Sequence, residues 1–455
     1  MQLSKYVTVY RREGTVALYQ SITQSVAFCT EAEFEELFDY NPATNQKIYD
    51  LVWAMRDKRI LIPAVFAEED EQKVIQGIRD SVGIKPDIEL MYLILTEGCN
   101  LRCKYCFVEG TVEDKCPQTM SEETAFKAID LFAKVISGRK EDDEPPTIIF
   151  FGGEPLVNKK VFIAATKYID DARQTGKLPA TQRIIIVTNG TIMDEEILNT
   201  IKRYKVEMSV SIDGPEEFHD TNRVYRSGRG SFAKVRETIK TLQAEGIDFF
   251  PSCTITNSNV QAMPYILKWL MSEFGCKAFT FNPMLGIDAD KFSNKQYVEN
   301  FAQGLINCFK IGRTNGIYED RMMRKLVPFV TGTMHLKDCN GCGLQMVVAP
   351  NGKIGPCQGF IGTKEYYTGD LNDPEYLPQN DPTFHEWYNR SPINQKECVD
   401  CSLLGCCGGG CPYNAHLRKG SIWERDEPFC KYVNIVSEWF VWDLYEQQNK
   451  ALGCA

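Results

Sequence analysis

The hydrophobic positions of the chain change period along its length, and the changes divide it into three stretches. Over residues 1–85 the short runs alternate. Tyr6-Val-Thr-Val-Tyr10, Val16-Ala-Leu-Tyr19 and Val26-Ala-Phe-Cys29, with Arg11-Arg-Glu-Gly14 as a turn, predict a three-stranded meander. Thr30-Glu-Ala-Glu33 is a capping box that opens a helix. Ile48, Leu51, Val52 and Met55, then Val74, Ile75, Ile78 and Val82, predict two further amphipathic helices. From 86 to 315, apolar runs at 90–95, 147–151, 183–188, 206–212, 249–255 and 278–282 predict strands. Helical patterns fall between them, near 121–136, 159–174, 194–203, 231–245 and 260–274, and Lys291 to Arg313 adds one more. Such alternation predicts an α/β fold, a parallel sheet of right-handed units forming a partial (β/α)6 TIM barrel. Its site belongs at the C-terminal ends of the strands. Beyond 316 the alternation stops while cysteine and glycine become dense, so 316–455 reads as a separate domain.

Composition narrows the class. A chain of 455 residues with 43% hydrophobic and 25% charged residues has the balance of a soluble globular protein of two or three domains. No apolar run approaches membrane-spanning length, and the N-terminus lacks a basic-then-apolar signal pattern, so a cytoplasmic protein is expected. Eighteen cysteines in such a protein favour metal ligation or redox chemistry over a disulfide framework. The net charge of −10 argues against nucleic acid or an anionic membrane as partner.

The chemistry starts at Thr96-Glu-Gly-Cys99-Asn-Leu-Arg-Cys103-Lys-Tyr-Cys106-Phe, directly after the first strand of the alternating stretch. Three cysteines at C-x3-C-x2-C spacing let one loop wrap three thiolates around a single metal centre, leaving one iron of a cubane open. Zinc is the competing metal, but structural zinc takes four closed ligands, usually in C-x2-C pairs. With Tyr105 ahead of its last cysteine, the loop resembles that of the radical S-adenosylmethionine (radical SAM) enzymes. The resemblance implies that Cys99, Cys103 and Cys106 hold a [4Fe-4S] cluster whose fourth iron is chelated by the amino and carboxylate groups of S-adenosylmethionine.

Other strand ends carry residues suited to that cofactor. In Phe151-Gly-Gly-Glu-Pro155, Gly152 and Gly153 allow close backbone approach and Glu154 can accept a hydrogen bond from an ammonium group. This stretch is similar to the family motif that holds the cofactor's amino group. Thr188-Asn189-Gly-Thr191 and Ser209-Val-Ser-Ile-Asp-Gly-Pro215 also resemble family strand ends. Ser211 and Asp213 occupy alternate positions, so both are expected to face the barrel interior. Arg223 has the fork to bind a carboxylate. Each has a plainer alternative: a turn for the glycines and a helix cap for Asp213.

A second cysteine system fills the C-terminal stretch. Cys342, nine residues, Gly352, four residues and Cys357 are followed by Cys398-x2-Cys401-x5-Cys407-x3-Cys411 and then Cys430. Asn351-Gly352 supplies a hairpin turn between Val347 and Gly355. The spacing resembles that of the SPASM domains, which implies two auxiliary [4Fe-4S] clusters. By that resemblance Cys342, Cys357 and Cys411 hold the first, with Cys339 as its fourth ligand, and Cys398, Cys401, Cys407 and Cys430 the second. Without Cys339, the first cluster would keep an open iron. Cys406, beside Cys407, is ambiguous, and a pair of zinc sites is the alternative for the whole set. Cys29, Cys116, Cys253, Cys276, Cys308 and Cys454 read mostly as small buried residues, with Cys116 exposed.

The three strands and helices of 1–85 resemble the winged-helix-like leader-recognition domains fused to radical SAM enzymes that modify ribosomal peptides. The expected whole is thus a leader-recognition domain (1–85), a radical SAM partial barrel (86–315) and a SPASM domain with two auxiliary clusters (316–455). The resemblance implies three [4Fe-4S] clusters, S-adenosylmethionine, an external one-electron reductant and a precursor peptide with a leader. It further implies hydrogen abstraction by a 5′-deoxyadenosyl radical and an intrapeptide crosslink, a cysteine thioether or else a carbon–carbon bond. Glu319 and Asp320 fall where sulfatase-maturating relatives place an acidic residue, which makes them candidates for the general base; a solvated helix start explains the same pair. The alternatives are an anaerobic sulfatase-maturating enzyme making formylglycine, against which the 98 residues ahead of Cys99 count, and a non-catalytic iron–sulfur protein.

Overall fold

The computed structural model describes residues 1–38, 48–83, 85–108, 116–140, 142–285 and 295–452. The chain forms two compact units: residues 1–84, 321–339 and 390–455 make one, and residues 85–320 and 340–389 the other.

The first unit begins with β1 (Gln2–Leu3), β2 (Val7–Arg12), β3 (Thr15–Gln20) and β4 (Ser25–Thr30), then α1 (Glu31–Glu36), α2 (Tyr49–Asp57), β5 (Leu61–Ile62) and α3 (Ala67–Ser81). The meander β2-β3-β4 is antiparallel, and β1 pairs with β5. Thr30 caps α1 in the expected box, its side chain and that of Glu33 each bonding the other's backbone. Val16, Leu18, Val52, Met55 and Leu61 lie in one buried cluster between sheet and helices. Tyr6 and Ile75 pack instead with Ile393 and Leu404 of the cysteine-rich segment. Residues 1–84 therefore share a core with the end of the chain, a division that differs from the three stretches read from periodicity.

In the second unit the strands are β6 (Leu90–Thr96), β7 (Thr147–Gly152), β8 (Arg183–Thr188), β9 (Glu207–Ser211), β10 (Phe249–Ile255) and β11 (Ala278–Pro283). They neighbour one another in chain order and all pair in parallel. Between them run α4 (Glu122–Val135), α5 (Lys159–Gln174), α6 (Glu195–Tyr204), α7 (Glu216–Asn222), α8 (Phe232–Ala244) and α9 (Met263–Phe274), and α10 (Lys295–Asn315) follows β11. The first four residues of the helix expected from Lys291 lie outside the described residues. Ser121 and Asp194 cap α4 and α6 by accepting from the third residue on, and α4 buries Ala125, Ala128, Ile129 and Phe132 against the sheet. This is the expected partial (β/α)6 barrel.

One feature of the sheet goes beyond the expectation. After β12 (Tyr318–Glu319) and α11 (Asp320–Thr331), the hairpin of β13 (Gln345–Val348) and β14 (Lys353–Gly355) does not stand apart. Strand β13 pairs in parallel with β6, and β15 (Gly369–Asp370) extends the sheet beyond β14. All four residues of β13 are buried. The chain ends with α12 (Pro382–Asn389), α13 (Leu404–Cys407), α14 (Pro412–Lys419) and α15 (Glu427–Ala451). No described helix is long and apolar enough to cross a membrane.

Because Met346 is fully buried in β13, Met346→Ala is expected to cost about 2–5 kcal/mol of stability, through lost contacts and the cavity left. Chemical denaturation of the apoprotein reads this.

Candidate functional site

The cluster loop leaves β6 and is held by the ends of the next three strands. At β7, Gly153 N donates to Thr96 O (2.8 Å) and Glu154 N to Gly98 O (2.9 Å). A Cβ on Gly152 would stand 2.2 Å from Thr96 O, and one on Gly153 2.3 Å from Gly98 O. The paired glycines do serve a close backbone approach, and the partner that approaches is the chain's own cluster loop.

Glu154 is fully buried. Its carboxylate accepts from Leu156 N (3.1 Å), Thr188 Oγ1 (2.8 Å) and Asn189 N (2.6 Å). Burial pushes its pKa up to about 7 against those donors. The expected acceptor for an ammonium group thus clamps β7 to β8. Asn189 carries the clamp onward, donating through Nδ2 to Asn100 Oδ1 (2.9 Å) and to Cys99 Sγ (3.7 Å). Asn100 donates in turn to Thr191 Oγ1 (2.8 Å).

At β9 the anchor is Asp213, also fully buried. It accepts from Tyr105 Oη (2.5 Å) and Thr254 N (3.0 Å), and the Arg223 Nε lies 3.1 Å from its Oδ1. The guanidinium also sits 5.4 Å from the centre of the Tyr105 ring. Asp213 and Arg223 are therefore brought together as an ion pair around the aromatic residue of the cluster loop. Arg223 does meet a carboxylate, one supplied by the chain itself.

Behind Asp213, His219 accepts from Asp213 N at Nδ1 (3.3 Å). The Ser231 hydroxyl donates to Arg223 O (2.7 Å), so the imidazole donates from Nε2 to Ser231 Oγ (3.0 Å). Burial lowers the His219 pKa to about 4.

Cys99 is surrounded as a ligand would be. Its Sγ accepts from Leu101 N (3.4 Å), and the same local geometry recurs as Gly359 N to Cys357 Sγ (3.3 Å) and Gly409 N to Cys407 Sγ (3.3 Å). Backbone N–H groups aimed at sulfur favour thiolate and tune iron–sulfur centres. Burial pushes the Cys99 thiol up to about 12, and the neighbouring Cys103 and Cys106 add to the shift. Three cysteine sulfurs carried on one loop have the donor chemistry an iron–sulfur cluster takes, although among the described residues no three His, Cys, Asp or Glu already stand close enough to hold a metal ion.

The barrel interior fits a polar cofactor. Ser211, Ser252 and Thr280 stand in register across β9, β10 and β11. All three are half-buried on the face opposite the buried Val210, Cys253 and Phe281. Thr280 Oγ1 is buried without a hydrogen-bond partner. Ser211 ends β9.

Glu319 and Asp320 are placed elsewhere. Glu319 is level with Phe279, at the N-terminal start of β11, and its charge raises the pKa of the buried Cys308. Pro283, at the other end of β11, is about 13 Å further on by strand rise. Asp320 begins α11, while Glu319 is buried rather than part of a solvated helix start.

Of the second cysteine system, Cys398, Cys401, Cys407 and Cys430 gather in the first unit, near enough to raise one another's pKa values. Arg390 and Arg425 oppose the shift at Cys398, and Lys325 at Cys407. Cys339 and Cys411 of the first expected set adjoin in the same unit, whereas Cys342 and Cys357 belong to the other. The buried Cys406 thiol donates to Leu403 O (3.3 Å) and meets Ser437 Oγ. Cys29, Cys253, Cys276 and Cys308 are buried and Cys116 is exposed; Cys454 lies outside the described residues.

Asn100 and His219 were not among the expected site residues. Asn100 sits inside the cluster motif and His219 four residues before Arg223, and nothing in the sequence names the partners that give either a role.

Residues 93–270 match the model of the Radical SAM superfamily, so the chain carries a radical SAM domain, a domain whose family implies a [4Fe-4S] cluster and S-adenosylmethionine, and its relatives are radical SAM enzymes. It is 24% identical over 480 aligned residues to the radical SAM cyclopropyl synthase TigE of Paramaledivibacter caminithermalis, covering 95% of this chain and 94% of that one. To a cysteine-type anaerobic sulfatase-maturating enzyme of Clostridium perfringens it is 23% identical, over 72% of this chain and 89% of the relative. The structure of Streptococcus suis SuiB bound to the precursor peptide SuiA shares the fold with a TM-score of 0.56 at 12% identity, covering 94% of this chain and 99% of SuiB.

Two outcomes test the site. Unfolded imidazole takes up its proton near pH 6.5, whereas buried His219 does so only near 4, so its contribution is complete above pH 6.5 and declines as pH falls toward 4. The apoprotein is expected to lose about 2 kcal/mol from this group between about pH 7 and about pH 5, and His219→Gln to flatten that part of the denaturation profile. Glu154→Gln turns an amide N–H toward the Leu156, Thr188 or Asn189 donors. It is expected to cost about 1–3 kcal/mol, read by thermal melting, and to slow S-adenosylmethionine cleavage at least tenfold.

Proposed function

We propose that this radical SAM enzyme modifies a ribosomally made precursor peptide by a net two-electron oxidation that forms an intrapeptide crosslink, a thioether or a carbon–carbon bond. The observation that carries the reading is the combination of the clamped cluster loop with a second gathered set, Cys398, Cys401, Cys407 and Cys430, ringed by Lys325, Arg390 and Arg425. Asp338 and Asp426 also lie near this set, and the cations among its neighbours suit a cluster that gains negative charge when reduced. The cluster held by Cys99, Cys103 and Cys106, with S-adenosylmethionine, would supply hydrogen abstraction, and auxiliary clusters would take up the electron left on the substrate.

The chain's own residues do the rest. Glu154, Asn189, Asp213, Arg223 and Tyr105 hold the loop rigid, while Gly152 and Gly153 keep it against β7. Ser211 and Thr280 offer hydroxyls to the bound cofactor or peptide. Cys339, Cys342, Cys357 and Cys411 are kept as the ligands of the first auxiliary cluster on their spacing. Glu319 and Asp320 are not kept as the general base, since the register puts Glu319 at the start of β11.

Residues 1–85 are read as gripping the leader. A groove of 660 Å³ there is lined by Lys5, Glu69, Lys73, Gln76, Arg79 and Asp400, among others. Because Tyr6 and Ile75 share a core with Ile393 and Leu404, deleting the segment would unsettle the second cysteine set as well, so point variants are the cleaner probe. A sulfatase-maturating role, forming formylglycine, is the second reading, favoured by the Clostridium perfringens relative.

The reconstituted enzyme is expected to remove two hydrogens per modification from a precursor peptide encoded beside its gene, read by intact mass and fragmentation. Lys73→Glu with Gln76→Ala is expected to weaken peptide binding at least fivefold while leaving peptide-independent S-adenosylmethionine cleavage unchanged. Formylglycine in a sulfatase peptide, with the precursor untouched, would replace this reading by the second.

A further inference from the structure

One of the cations beside the second cysteine set is buried and has contacts not yet described. Lys325, on α11, has a side chain only 6% exposed. Its ammonium group pairs with Asp338 and donates to the backbone carbonyl of Cys407 (2.7 Å). Asp338 immediately precedes Cys339 and also receives His335 Nε2 (3.1 Å). Burial lowers the His335 pKa, which favours the neutral imidazole.

The surroundings leave no slack. His335 N donates to Gly405 O (2.7 Å) and Asp338 N to Gly408 O (2.9 Å), so the segment leading to Cys339 is zipped to the one carrying Cys407. A Cβ on Gly408, which has φ +75°, would stand 2.6 Å from Asp338 N and 2.6 Å from His335 Cδ2. A lysine held this way costs desolvation energy, offset by its paired carboxylate and the carbonyl. An apolar residue would fill the space without that cost. What the ammonium adds is a fixed positive charge beside a cluster ligand, where the low dielectric strengthens its field.

We propose that Lys325 is a positioning residue that raises the reduction potential of the cluster held by Cys398, Cys401, Cys407 and Cys430, with Asp338 setting the size of the effect. The inference rests on the proposed auxiliary cluster. A positive charge stabilises the reduced, more negative state of that cluster. A higher potential makes it an acceptor for an electron leaving the substrate rather than a donor competing with the external reductant. The paired Asp338 partly cancels the field, so the two residues act with opposite sign.

The test is a potentiometric titration followed by electron paramagnetic resonance. It uses full-length protein in which Cys99, Cys103 and Cys106 are changed to Ala, so that only auxiliary clusters report. The signal is assigned by its loss in Cys430→Ala. Lys325→Met is expected to lower the one-electron equilibrium constant for reduction at least tenfold, about 59 mV. Asp338→Asn should shift it the opposite way, and Lys325→Arg should hold it near the parent value. A merely structural role would move the potential in one direction in all variants, or would lose iron, and either result overturns the proposal. Equal potentials in Lys325→Met and parent overturn it while leaving the auxiliary cluster in place. A parent protein with no such signal overturns both the cluster reading and the proposal built on it.

Discussion

Thiols packed side by side away from water resist losing their protons, because each thiolate would face the next with little screening. Much of the barrel's upper end follows from meeting that constraint with a cation. Cys99 is half-buried with Cys103 and Cys106 close by, so a loop that is to present three sulfurs to one centre has to be stiff. The stiffness comes from two carboxylates that are themselves fully buried. Glu154 gathers three donors from the ends of β7 and β8, and Asp213 gathers the Tyr105 hydroxyl, the Thr254 amide and the Arg223 guanidinium. A buried carboxylate is tolerable only when so satisfied. The same bonds that satisfy it fix the loop.

How far this was legible in the sequence depends on the range of the interaction. Parallel strands buried on both faces read as short apolar runs, and β6 through β11 lie within a residue or so of where those runs fall. The capping box at Thr30 was equally visible, being an affair of four residues. The cysteine spacings marked the cluster loop and the second gathered set. The pairing of β13 with β6 was not legible, since it joins residues some 250 positions apart and nothing in Gln345–Val348 names its neighbour. Nor was the sharing of a core by Tyr6, Ile75, Ile393 and Leu404.

Some polar residues have partners within the chain that the sequence did not name. Glu154 and Arg223, expected to meet a ligand's ammonium and carboxylate, also meet Asn189, Thr188 and Asp213. Residue type announces that a charge needs an opposite; only tertiary contact says which one it finds. Glu319 shows the reverse. Its likeness in position to an acidic residue of sulfatase-maturating relatives made it a candidate base, while its register with Phe279 puts it at the start of β11.

The claim on which the account turns is that this chain holds one open three-cysteine cluster and further closed ones. Iron and sulfide analysis of anaerobically reconstituted protein, with the spectrum of its reduced state before and after S-adenosylmethionine, tests it most directly. The account predicts about twelve irons per chain, falling to about eight when Cys99, Cys103 and Cys106 are changed to Ala. It also predicts a signal that S-adenosylmethionine alters only while those cysteines are present. Zinc in place of the C-terminal iron, or a spectrum indifferent to S-adenosylmethionine in the intact chain, would contradict it.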